Sequence, residues 1–397
     1  MVSKIQQAAE RLQKKMEDEQ EIEKIKEELK PPKETVDTTG FLHTGSTLLN
    51  LACSGNPNGG LKPGHYYLLV GDSDSGKSFL SHAFLAEACL DENFNDYRLI
   101  YDDVEYGSLM NIEKLFGSAL VERMEPPKID KEGDPIYSST IEEFFFNLDD
   151  AFDEGKPFIY ILDSQDSLTS DSETDKFQEE KEAFLKGKNV SGSYGDGKAK
   201  QFSKNLRQCI HKLKKMGCIL IIINQTRDNI GFGAQYNPKT RSGGHALAFY
   251  ATLQIWLSHK KNLTRKERQT GILAHVKIKR NRLTGKKREV DIPIYWETGI
   301  DDVGSCIDYL VTEGHWKGGS TKKDKNKEEE VEMTVDGEKK KKSSGINAPE
   351  FEFIGSQEKL IQKIQDENLD KKLRRIVSNV WKEIETSCIV ERKNRYT

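Results

Sequence analysis

The sequence predicts an α/β fold built on a mostly parallel, doubly wound sheet, and three observations predict it. Short apolar runs alternate with helix-patterned stretches from residue 65 onward, the arrangement of strands joined by crossover helices. One of those runs leads into a glycine-rich turn that opens a helix. The chain has 397 residues, enough for a full hydrophobic core and about two to three domains at roughly 150 residues each.

The first segment, residues 1–34, holds 17 charged side chains and reads as an N-terminal helical oligomerisation arm. Good helix formers without glycine run from 3 to 30, with a sparse apolar stripe at Ile5, Ala8, Leu12, Met16, Ile22, Ile25 and Leu29 that ends at Pro31-Pro32. So thin a stripe cannot fold alone; it is either a solvated terminus or an arm that docks on a neighbouring subunit. The core spans 35–318, with strands expected at 65–70, 99–101, 158–163, 218–224, 252–257 and 273–278, and helices at 77–90, 140–152 and 199–215. Ligands of such a sheet bind beyond the carboxyl ends of its strands. Residues 319–348 form a charged flexible linker, since 15 charges fall within 319–343 and so polar a stretch buries too little surface to order itself. A small helical C-terminal lobe, 349–397, completes the chain, with apolar positions from Leu360 to Ile384 at helical spacing over 357–389.

Charge is concentrated in those two flanking segments. The chain is 32% charged against roughly 25% for a typical domain, and outside the flanks the share is ordinary. With 61 basic and 65 acidic residues the net charge is -4, so no global field draws the protein onto nucleic acid or an anionic membrane, and any polyanion site is a local patch. The six cysteines, Cys53, Cys89, Cys209, Cys218, Cys306 and Cys388, form no CxxC pair and no zinc-like spacing. They read as reduced thiols. No run approaches 18 apolar residues, and the N-terminus lacks the apolar stretch of a signal peptide. A cytoplasmic protein without membrane contact is expected.

The strand at 65–70 runs into Gly71-Asp72-Ser73-Asp74-Ser75-Gly76-Lys77-Ser78, a full GxxxxGK[ST] match, and then into a helix. Glycines let backbone amides point inward around a phosphate, and the helix N-terminus adds the positive end of its dipole. Lys77 is expected to reach the β- and γ-phosphates of ATP, and the Ser78 hydroxyl to sit on Mg²⁺. Downstream, the apolar run at 158–162 ends in Asp163, a strand-end carboxylate that can complete the metal shell. A second strand end supplies Asp102, Asp103 and Glu105, any of which could accept a proton from a water attacking the γ-phosphate. On residue type alone the three stay equal.

The next strand end carries a family resemblance. Leu220-Ile221-Ile222-Ile223-Asn224-Gln225-Thr226-Arg227-Asp228-Asn229-Ile230-Gly231 resembles the NQxRxxIG segment of bacterial RecA-type strand-exchange recombinases. Ser242-Gly243-Gly244-His245-Ala246-Leu247-Ala248-Phe249-Tyr250-Ala251 is similar to that family's TGGNALKFYA stretch, and Thr44 to Ala52 matches upstream; the resemblance covers about 40–315. It implies a RecA-like P-loop ATPase core with two DNA-binding loops. It also implies a helical homopolymer on single-stranded DNA, ATP bound between neighbours, and pairing with a homologous duplex. Recombination mediators and single-strand-binding proteins are the further partners it suggests.

Carried over residue by residue, Glu105 aligns with the family's general base, and Gln225 with the glutamine that senses the γ-phosphate and relays its state to the following loop. Lys200, Ser203 and Arg207 stand at the family's basic, hydroxyl and basic positions on a helix with seven basic residues and no acidic one. Arg227, Ser242, Gly243, Gly244 and His245 fall on the second DNA loop, and Tyr236 is placed to do the stacking of that loop's aromatic. Arg280 and Arg282 stand where the bacterial family has lysines that reach the neighbouring subunit's γ-phosphate. A general basic patch competes with that reading, because residues 258–290 hold 12 Lys or Arg against two Glu. Departures include Ile112 at the adenine-stacking position, His245 for the family's Asn, and a basic C-terminus. They suggest a phage or viral version working in its host's cytoplasm. The competing readings are a RecA-like nucleotide-binding regulator or mediator without strand exchange, a ring helicase motor, and a DNA-coating protein.

Overall fold

A strand buried on both faces needs apolar residues at every position, and that is how the central strands are written. Strands β1 (His65–Gly71), β2 (Arg98–Asp103), β5 (Phe158–Asp163), β6 (Ile219–Asp228) and β8 (Leu253–Arg265) lie parallel to one another. Alternate side chains point to opposite layers. Tyr67, Leu69, Ile159, Ile161, Ile219, Ile221 and Ile223 pack on one side, and Tyr66, Leu68, Val70, Phe158, Tyr160, Leu162, Leu220 and Ile222 on the other. The chain is an α/β protein, as its pattern predicts.

In the computed structural model the described residues are 40–107, 110–186, 197–228, 239–241, 244–318, 332–333, 339–340, 345–392 and 395. They belong to one unit that begins at Gly40, and the expected N-terminal arm lies outside them. The main sheet runs, in order, β11 (Gly299–Ile300), β10 (Glu289–Tyr295), β9 (Arg268–Asn281), β8, β1, β6, β5 and β2, with β7 (Lys239–Arg241) paired to the end of β6. Beyond β8 it turns antiparallel through β9, β10 and β11. The expected strands at 252–257 and 273–278 are therefore the cores of a long hairpin, whose Lys266-Glu267 turn has both residues at positive φ. A small hairpin, β3 (Lys128–Ile129) with β4 (Pro135–Ile136), stands apart from the sheet.

The helix after β1 is Lys77–Leu90, and Ile141–Asp153 begins with a full capping box in which Thr140 and Glu143 satisfy each other's backbone amides. The Gly197–Met216 helix buries Phe202, Leu206, Cys209 and Leu213 along one face. Between β5 and that helix stands Asp171–Leu185, which buries none of its residues and leaves Phe177, Phe184 and Leu185 exposed.

Three features of the C-terminal part refine the expected helical lobe and linker. The 357–389 helix is two helices, Gln357–Asp366 and Asp370–Ser387, broken where Asn368 takes a positive φ. Their apolar faces, with Leu360, Ile364, Leu373, Val377 and Trp381, join the same core as β8, β9 and β10, so the expected lobe packs as part of the main body. Its first strand, Ile346–Ala348, lies inside the stretch assigned to the linker, because Ile346 and Ala348 are apolar enough to be buried.

Candidate functional site

Register brings the carboxyl ends of the central strands to one edge. Gly71 stands opposite Gln225 on β6 and Leu257 on β8, and Asp103 opposite Asp163. The segment Gly71–Ser78 turns there. A Cβ on Gly71 would sit 2.6 Å from both the Leu257 carbonyl oxygen and Ser75 Oγ, and Gly76 takes φ 91 with Ile294 against it, so neither position admits a larger residue. Gly76 offers no side chain to cap the Lys77–Leu90 helix, which leaves its first-turn amides available to a phosphate.

Lys77 is buried, and its Nζ donates to the Asp72 carbonyl oxygen at 2.6 Å. Burial pulls its pKa down against the nearby charges of Asp163, Glu105 and Asp72. Ser78 Oγ donates to Asp163 Oδ2 at 2.6 Å, and Tyr101 OH donates to the same oxygen at 2.6 Å. Burial raises the Asp163 pKa in spite of those two bonds. Among the described residues no three His, Cys, Asp or Glu side chains converge as a metal cage. The one hydroxyl and one carboxylate fit Mg²⁺, a cation that keeps water and substrate phosphates in most of its coordination shell.

The three candidate carboxylates separate by environment. Asp102 is buried and taken up by Ser138 N, Ser138 Oγ and Tyr160 OH, at 2.9, 2.6 and 2.7 Å, and burial raises its pKa. Asp103 is buried at the strand end and accepts from Gly107 N at 3.3 Å. Glu105 reaches across the edge: its Oε1 accepts from Gln225 Nε2 at 2.9 Å, Ser164 Oγ at 2.5 Å and Ser167 Oγ at 3.1 Å. The expected base and the expected sensor are in direct contact.

Several participants carry no sequence motif. Asp166 accepts from Gln225 N at 2.6 Å and Asn224 Nδ2 at 3.0 Å, fixing the end of β6, and stands 3.9 Å from Arg227. Asp72 accepts from Thr226 Oγ1, and from Lys239 Nζ at 2.5 Å. Burial pushes its carboxyl up, but the bonds from Lys239 and Thr226, with the charges of Lys239 and Lys77, carry it below the usual carboxylate range. For Asp166 the only signal was a strand-end Asp-Ser followed by a second Asp; for Lys239 and Thr226 there was none.

On the Gly197–Met216 helix Lys200, Lys204 and Arg207 are exposed and Ser203 is half-buried. Arg207 Nε donates to Tyr250 OH at 2.9 Å, joining this helix to Gly244–Tyr250. Gly244 and His245 begin that second helix; Tyr236, Ser242 and Gly243 lie outside the described residues. Arg280 and Arg282 donate to the Ala248 and Phe249 carbonyl oxygens, at 2.9 and 2.5 Å, with both guanidinium groups beside the Phe249 ring. Arg280 stands opposite Gln254, itself level with Leu68, three residues before Gly71. That places Arg280 roughly 10 Å along β1 and two strands across from Gly71. Ile112 opens the short Ile112–Phe116 helix and is half-buried against the core.

A family model described as the RecA N-terminal domain matches residues 179–301. The chain is 28% identical over 347 residues to Protein RecA of Helicobacter pylori strain P12, covering 85% of this chain and 90% of that protein. It is 26% identical over 337 residues to Protein RecA of Helicobacter hepaticus, covering 82% and 88%. A shorter match, 32% over 123 residues, joins it to Protein RecA of Trichodesmium erythraeum across 30% and 34% of the two chains.

Proposed function

We propose that the chain is a member of the RecA family, to whose proteins it is similar over most of its length, and that it is a DNA-dependent ATPase that assembles as a helical filament on single-stranded DNA and pairs that strand with a homologous duplex. The observation that carries the reading is the 2.9 Å bond from Gln225 Nε2 to Glu105 Oε1. It joins a carboxylate at the nucleotide edge to the strand that leads into the second expected DNA loop.

In this reading the amides of Gly71–Ser78 and the Lys77 ammonium bind the triphosphate, and Ser78 Oγ and Asp163, which bond each other here, would hold Mg²⁺, which would neutralise phosphate charge. Tyr101 OH holds the Asp163 carboxylate in place. Glu105, oriented by Ser164, accepts the proton of the attacking water. Gln225 leaves Glu105 for the γ-phosphate and so moves the end of β6. Lys200, Ser203 and Arg207 contact the DNA backbone with Arg227, Ser242, Gly243, Gly244 and His245, while Tyr236 stacks. Arg280 and Arg282 act on the neighbour's triphosphate, a role supported by their distance from their own phosphate loop.

The test is joint-molecule formation with the purified full chain, ATP and homologous DNA, run beside ATP hydrolysis with and without single-stranded DNA. Joint molecules and hydrolysis stimulated by the strand are expected. Hydrolysis indifferent to DNA, with no joint molecules, overturns the proposal and favours a nucleotide-binding regulator.

A further inference from the structure

Asp72 is the first residue after β1 in the phosphate loop, a place where backbone amides and not a carboxylate meet the ligand. Its main chain serves the loop, since the carbonyl oxygen accepts from Lys77 Nζ at 2.6 Å and Ser75 Oγ at 2.7 Å. Its side chain leaves the loop altogether. Oδ1 accepts from Thr226 Oγ1, and Oδ2 accepts from Lys239 Nζ at 2.5 Å.

Those two partners are not scattered. Thr226 follows Gln225 near the end of β6, and Lys239 opens β7, whose three residues pair with Thr226, Arg227 and Asp228. One carboxylate of the phosphate loop thus ties down both strands that flank residues 229–238. The Lys77 and Lys239 ammonium groups converge on the same residue, one on its carbonyl and one on its carboxylate. A triphosphate held by Lys77 therefore arrives beside a carboxylate it repels and a second lysine it attracts.

We propose that the Asp72–Lys239 pair is a direct latch between nucleotide and DNA: bound triphosphate displaces the Asp72 carboxylate as partner of Lys239, the lysine passes to phosphate, and β7 is re-set for the strand. The latch rests on the function proposed above and adds to it a route that does not pass through Glu105. Asp72 is its positioning residue, and Lys239 its phosphate-binding one. No bond is made or broken beyond hydrogen bonds and ion pairs.

The experiment measures oligonucleotide affinity of the full chain by fluorescence anisotropy, with a non-hydrolysable ATP analogue and with no nucleotide, for wild type, Asp72→Asn, Lys239→Gln and the double variant. Asp72→Asn keeps an acceptor for Thr226 and removes only the charge. Its affinity for the strand without nucleotide is expected to rise roughly fivefold or more, the scale of an ordinary coupling between sites. The ratio between the two conditions then falls, while a fluorescent ATP analogue still binds, at least as tightly as to wild type, because the Asp72 carbonyl that holds Lys77 is kept and the repelling charge is gone. Either single change already breaks the pair, so the double variant is expected to show the single variants' ratio. An Asp72→Asn protein that keeps the wild-type ratio overturns the latch and leaves the proposed function standing. A wild-type ratio of one overturns the function itself and takes the latch with it. Should Asp72→Asn lose the ATP analogue through misfolding, Lys239→Gln, changed on the exposed side of the pair, decides between the same two results.

Discussion

At the scale of single residues, three carboxylates that residue type leaves equal are made unequal by their neighbours. Asp102 is spent on Ser138 and Tyr160, and Asp103 is buried at the strand end, whereas Glu105 spans the edge to Gln225. Replacing Glu105 by Gln keeps the size of the side chain and removes the proton acceptor. Hydrolysis is expected to fall by about a hundredfold or more, within the range of a lost general base, while ATP-dependent binding to single-stranded DNA survives; a coupled ATPase assay beside anisotropy measures both. Undiminished hydrolysis would place the base elsewhere.

At the scale of elements, the Gly197–Met216 helix divides its labour by face. Phe202, Leu206, Cys209 and Leu213 bury themselves, while Lys200, Lys204 and Arg207 stay outside and Lys212 is taken up by Asp149. If the outer face meets phosphates, Lys200→Gln should weaken binding to strands of any sequence and flatten the plot of log affinity against log salt by about 0.7–1. A slope equal to wild type would make the face a solvated one. The Asp370–Ser387 helix is fastened to the turn between β9 and β10 by a fork: Arg288 donates to Glu385 at 2.5 and 2.8 Å, and Lys286 at 2.6 Å. The Arg288 bonds, joined by those of Lys286, hold the Glu385 pKa at about 2 against an ordinary 4.5. A depressed carboxyl contributes stability above its unfolded value and loses it as pH falls. Glu385→Gln is therefore expected to cost about 1–2 kcal/mol at neutral pH, the scale of a bidentate arginine pair near the surface. The gap to wild type should close between pH 4.5 and pH 2 in urea melts. A gap independent of pH would mean that packing, not charge, is lost.

At the scale of the whole molecule, the nucleotide edge and the two arginines lie at different places on one sheet, because β9 runs antiparallel to β8. If the arginines act on a neighbour's triphosphate, as proposed, a subunit completes its site only with that neighbour. Lys77→Ala lacks a phosphate lysine but keeps its arginines, and Arg280→Gln with Arg282→Gln has the reverse defect. Each alone should be inactive, and a mixture of the two is expected to hydrolyse ATP on single-stranded DNA, since some contacts pair an intact loop with intact arginines. A mixture as inactive as its parts would return the arginines to a general basic patch.

The extent to which the site could be read in advance follows from the range of each interaction. Backbone demands are local, so the glycine-rich turn, the capped helix at Thr140 and the buried runs of β1, β5 and β6 are written in consecutive residues. The antiparallel side of the mostly parallel sheet was not legible in advance, because a strand of a long antiparallel hairpin and a parallel strand share the same short apolar run, and only pairing tells them apart. The break at Asn368 and the merging of the C-terminal helices into the core likewise depend on what each apolar face meets. Sequence by itself determined which groups are present: a GxxxxGKS turn, strand-end carboxylates, a glutamine and a basic helix. Tertiary structure alone decided which carboxylate faces the glutamine, which end of the sheet holds the arginines, and that Asp72 turns away from its own loop toward Lys239. Those are contacts between residues far apart in the chain, and their geometry is set by strand register, which no local pattern encodes.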